Sequence, residues 1–110
     1  MSLFLMRFSY TPEAWSRLIN KPEDRRDAAS AIIAKLGGKL QGFWYGLGES
    51  DGYVLIEAPN NIAAAAFSVG ISAGGALRSA ETTALFTVEE TIEMLGMAKG
   101  LPYRAPGAIS

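Results

Sequence analysis

The side chains best placed to do chemistry in this chain are Arg7, Tyr53 and Glu57, and they are joined by an aromatic set. Residues 2–10, SLFLMRFSY, alternate with the period of a β-strand, Phe4, Met6 and Phe8 on one side and Leu3, Leu5, Arg7 and Ser9 on the other. Residues 52–58, GYVLIEA, repeat the pattern, with Val54 and Ile56 sharing one side and Tyr53, Leu55 and Glu57 the other. If the two strands are neighbours, an arginine, a phenol and a carboxylate lie on one sheet face. Two readings follow. In the first, Arg7 and Glu57 form an ion pair that satisfies itself at a subunit interface and fixes its orientation. In the second, they floor a pocket in which Glu57 acts as a base or Arg7 holds an anionic group of a substrate. Trp44 and Tyr45, with Trp15 near the first helix, either fill space in a core or interface or line an apolar cavity for a small aromatic ligand. The candidate ligand-binding residues are therefore Arg7, Trp44, Tyr45, Tyr53 and Glu57, and no residue stands out as catalytic.

The missing residue types narrow the chemistry further. The chain has neither cysteine nor histidine, which removes disulfides, thiolate nucleophiles, imidazole-based triads, His-rich zinc or non-haem iron sites and a proximal-histidine haem site. Glu49 and Asp51 could offer oxygen ligands to a hard cation, but they lack the regular acidic spacing of a calcium loop, and turn chemistry accounts for them. The expectation is no metal and no cofactor.

With 110 residues, 49% of them hydrophobic, and a mean hydropathy of +0.15, the chain is one domain toward the apolar end of globular composition, a sign of surface covered in an oligomer. A net charge of −1 without blocks of like charge gives no attraction for nucleic acid or anionic lipid. The N-terminal MSLFLMRFSY lacks a basic region ahead of its short apolar run, and no apolar stretch approaches a membrane span, so a cytoplasmic protein is expected.

The elements that must position these residues can be read in order. After the first strand, Thr11-Pro12-Glu13 opens a short helical turn, and a long helix runs from about Pro22 to Leu36 with Ala28, Ala29, Ile32, Ile33 and Leu36 on one stripe. Gly37-Gly38 ends it as a C-cap, not as a phosphate-cradling loop, which would have to lead into a helix. Strands follow over about Lys39–Leu47 and Gly52–Ala58 around a Glu49-Ser50-Asp51-Gly52 turn. An alanine-rich helix spans about Ile62–Ser72, its end eroded by Gly70, Gly74 and Gly75, and a strand spans about Leu77–Phe86. A capping box at Thr87 and Glu90 then starts a last helix reaching about Ala98. The domain spans about residues 1–99, and residues 100–110 form an aperiodic tail.

The order β-α-β-β-α-β plus a terminal helix is the ferredoxin-like α+β arrangement, with the first and third strands central in a four-stranded antiparallel sheet and the main helices on one face. The other face needs a second subunit or a ligand to cover it. The run GGKLQGFWYGLGESDGYVLIEAP, residues 37–59, closely resembles the GYD family of small bacterial proteins, above all in Gly37-Gly38-Lys39, Gly42-Phe43, Gly48-Glu49, Asp51-Gly52 and Glu57-Ala58-Pro59, with support from Arg78 and Glu81. The resemblance covers about Met6 to Glu90 and implies kinship with the dimeric α+β barrels, in which two such sheets face each other, hence a homodimer or an assembly of dimers. For function it leaves three alternatives: a small-molecule binding or interaction module without catalysis, a cofactor-independent oxygenase or isomerase acting on a small aromatic or anionic substrate, and a purely structural oligomer. Haem-degrading barrels of this kind use a histidine that this chain lacks.

Overall fold

A computed structural model describes residues 1–107; the last three residues of the expected tail, 108–110, lie outside the described residues. The element order is β1 (Ser2–Tyr10), α1 (Pro12–Asn20), α2 (Arg26–Lys35), β2 (Lys39–Tyr45), β3 (Gly52–Ala58), α3 (Asn61–Ser72), β4 (Leu77–Leu85) and α4 (Val88–Ala98). The strands form one antiparallel sheet in the order β2-β3-β1-β4, so the first and third strands are central and the fold is the ferredoxin-like α+β arrangement.

Alternation sorts the central strands into two faces. Phe4, Met6, Phe8 and Tyr10 of β1 and Val54, Ile56 and Ala58 of β3 are buried with Ala14 of α1, Ala29 and Ile33 of α2, and Ala63, Ala64 and Phe67 of α3. Leu3, Leu5, Arg7, Tyr53, Leu55 and Glu57 point the other way and are half-buried, with no helix over them.

The first helical segment departs from expectation. Thr11 caps it, its hydroxyl accepting from the Ala14 amide at 3.1 Å, and the helix continues for nine residues instead of a single turn. Burial of Ala14, with Trp15 and Leu18 packed on the core, sustains it. The second helix starts later than expected, at Arg26, because Asp24 accepts from the Arg26 backbone amide and side chain and holds the preceding residues in a turn.

The glycines at residues 37 and 38 have separate physical reasons. Gly37, at φ +80°, takes the left-handed position, and its amide donates to Ala34 at 3.1 Å while that of Gly38 donates to Ile33 at 2.9 Å, the paired bonds of a Schellman cap. A Cβ on Gly38 would lie 2.3 Å from the Glu57 carbonyl oxygen and 2.8 Å from Ile33, so helix α2 meets the sheet there through bare backbone. At the other end of the chain the capping box forms as expected, with Thr87 and Glu90 exchanging hydrogen bonds of 3.0 and 2.8 Å.

Gly38→Ala should destabilise the protein by about 1–3 kcal/mol through overpacking, whereas Gly70→Ala, whose added Cβ meets nothing within 4 Å, should stabilise helix α3 by about 0.5–1 kcal/mol. Denaturant midpoints at constant m-value check both signs.

Candidate functional site

The open sheet face is organised in rows that cross all four strands. The polar row reads Glu81, Arg7, Tyr53, Trp44, since Arg7 pairs with Glu81 of β4 and Tyr53 of β3, and Tyr53 pairs with Trp44 of β2. Next to it lies Thr83, Leu5, Leu55, Gly42, and beyond that Leu85, Leu3, Glu57, Lys39. Directly opposite side chains on such rows are about 5 Å apart at Cβ, within reach of one ligand.

This register corrects the expected pairing of Arg7 with Glu57. The two do share the open face, but Glu57 stands four residues from Tyr53, Arg7's partner, which is about 13 Å along the strand. The guanidinium instead donates from Nη2 to Glu81 Oε1. Its Nε is buried and has no hydrogen-bond partner. Glu57 lies opposite Lys39 and Leu3.

Trp44 and Tyr45 are also separated. The pairing on β2 steps from Leu40 with Ile56 to Gly42 with Leu55, so Gln41 is the extra residue of a bulge, and the alternation beyond it inverts. Trp44 consequently lies on the open face, its ring folded over Gly42, where a Cβ would come within 2.2 Å of the indole. Tyr45 faces the helical side. There it joins Phe8, Tyr10, Trp15 and Phe43 in a cluster of edge and tilted ring contacts with centroids 5.0–6.4 Å apart.

Two residues that hold this cluster together were missed in the sequence. Tyr10 merely extends the alternation of Phe4, Met6 and Phe8, and its hydroxyl meets that of Tyr45 at 3.2 Å. Burial, then the bond to Tyr45, pushes the Tyr10 phenol well above its ordinary value. Asp51 is more than a turn residue: its Oδ2 accepts from the Tyr10 amide at 3.0 Å and from the Trp15 indole at 3.2 Å, tying the β2–β3 turn to β1 and α1. Among the described residues no group of three carboxylates is placed to hold a metal ion, and no helix is long and apolar enough to cross a membrane.

Fold and site together define an α+β protein of the ferredoxin-like class with one sheet face covered by helices and one left open. The GYD domain model matches residues 4–95, and the chain belongs to the GYD family. Among solved structures, the crystal structure of an uncharacterized NIPSNAP domain protein from Burkholderia xenovorans superposes with a TM-score of 0.51 at 14% identity, covering 80% of this chain and 95% of that one. It shares the fold. Comparison with curated protein sequences gives no significant match.

Two measurements check this geometry. In double-mutant cycles, Arg7→Met with Glu81→Gln should couple by about 0.5–1 kcal/mol, as for a partly exposed pair, while Arg7→Met with Glu57→Gln should add to within about 0.5 kcal/mol. Above the ordinary tyrosine pKa of 10.0, the unfolded chain loses the Tyr10 proton while the fold retains it, so stability should fall as pH rises through that range. Tyr10→Phe should flatten that alkaline decline in urea midpoints.

Proposed function

We propose that this protein is a non-catalytic binding module that works as a homodimer, with the open sheet faces of two copies enclosing a chamber for a small anionic or aromatic ligand. The observation that carries the reading is the row Glu81, Arg7, Tyr53, Trp44 set beside an apolar row on a face that no helix covers. Arg7 brings a guanidinium whose buried Nε has no partner, and Tyr53 and Trp44 bring flat apolar surface, the combination that orients an anion carried on a ring. Glu57 lies away from Arg7, and the carboxylate that does stand beside it, Glu81, is held by the guanidinium, which favours binding over a carboxylate-based reaction. A cytoplasmic setting belongs to the same proposal.

Helix α4 supports the second copy. None of its residues is buried, and Val88, Ile92 and Leu95 stand exposed at helical spacing with Phe86 just before them. An undocked helix of eleven residues is marginal in water. The radius of gyration of 18.0 Å, against about 13 Å for a compact chain near this length, and a longest extent of 63 Å fit a helix that is not packed on the body. A surface on another copy is the natural dock for it.

Light scattering at micromolar concentration should give a dimer or a multiple of one, and Leu5→Glu, in the middle of the apolar row, should shift the mass to the monomer. A monomer for the unaltered chain would overturn the proposal.

A further inference from the structure

The helical layer has a gap. Helix α2 lies over β2 and α3 lies over β4, and between them the central strands floor a cavity of about 410 Å³, inside the range of small-molecule sites. Its floor is Met6, Phe8, Tyr10 and Val54, with Phe43 beside them. Its walls set small residues, Ala14 from α1, Ala28 and Ala29 from α2, Gly70 and Gly74 at the end of α3, and Ala76, among the larger Leu18, Ile32, Ile71 and Leu77. The alanines and glycines leave the space between the larger side chains, since ordinary core side chains at those positions would fill it. Ile32, on the stripe of α2, is 38% exposed because it faces this gap instead of a neighbouring helix.

The rim is polar and carries an excess of positive charge. Arg17, Arg25 and Glu23 line it. Arg25 Nη1 lies 3.6 Å from Glu23 Oε2, which partly neutralises one guanidinium, and Arg17 has no carboxylate within 4 Å among the described residues. An apolar interior under a cationic lip matches one ligand chemistry: an apolar body ending in a single carboxylate.

We propose that this cavity is a second binding site, separate from the open sheet face, for an amphipathic monocarboxylate such as a medium-chain fatty acid. The acyl body lies against the partly exposed Leu18, Ile32, Ile71 and Leu77, above the packed strand residues and between the alanines and glycines. The carboxylate meets Arg17 and Arg25 at the mouth. Because the cavity is on the helical side of the sheet, the site needs no second copy and stands or falls independently of the dimer.

Calorimetric titration with decanoate, and with decanol as its neutral counterpart, tests the site. Decanoate should bind one per chain, and the Arg17→Met, Arg25→Met double variant should weaken it about tenfold while leaving decanol unchanged. Gly70→Leu adds a side chain where an added Cβ meets nothing within 4 Å, so the fold should tolerate it, and the new side chain should occupy the cavity and abolish binding of both probes. A melting temperature at or above that of the unaltered chain would confirm that this loss is not unfolding. No binding of decanoate, equal affinity in folded Gly70→Leu, or equal affinity of decanoate in the arginine double variant would each overturn the assignment.

Discussion

A four-stranded sheet has two faces, and this chain supplies helices for one of them. That constraint organises everything else in the molecule. Because β1 and β3 are central and alternate as far as Phe8 and Ala58, Phe4, Met6, Phe8, Val54, Ile56 and Ala58 enter the helical core and the residues between them are delivered to the open side, the pattern breaking only at the buried Ser9 beside a register shift. The same geometry that makes the core therefore lays out Leu3, Leu5, Leu55, Arg7 and Tyr53 as a second surface. A sheet face of this composition in water costs hydrophobic free energy at every apolar row, and that cost supports the proposed self-association.

Features fixed by local chemistry were legible in the sequence. The two faces of the central strands follow from period-two patterning, the Schellman cap from paired glycines after an apolar stripe, and the start of α4 from the spacing of Thr87 and Glu90. What was not legible depends on register. Alternation places Arg7 and Glu57 on one face but says nothing of how far apart they lie along it, and the answer comes from which residue of β3 stands opposite Arg7. The bulge at Gln41 had the same effect on the aromatic pair: alternation separates Trp44 from Tyr45, but the extra residue decides that Trp44 takes the open face and Tyr45 the helical one. Helix α1 was underestimated because its stability comes from tertiary burial of Ala14 and packing of Trp15 and Leu18, not from propensity.

Small residues shape both faces. On the open side, Gly42 lets the Trp44 ring lie flat against the sheet. On the helical side, alanine and glycine on all three neighbouring helices hold the layer open over β1 and β3. The apolar stripe on α2 faces inward as expected: Ala29 and Ile33 are buried and Leu36 packs against the core, while Ala28 and Ile32 stand more open along the gap. Composition alone registers such positions as core. The topology shows which of them have something to pack against.

The two faces of one sheet are proposed to serve separate sites: self-association around a ligand chamber on the open face, and capture of an amphipathic carboxylate on the helical face. The two tryptophans sit one on each side: Trp44 on the open face, and Trp15 stacked edge-on against Tyr10, which lines the cavity, at 5.0 Å between centroids. Fluorine NMR of the chain labelled with fluorotryptophan tests the claim in a single sample. Dilution should shift the Trp44 resonance alone, and added decanoate should shift the Trp15 resonance alone. A Trp44 signal indifferent to concentration, or both signals moving together under either treatment, would contradict it.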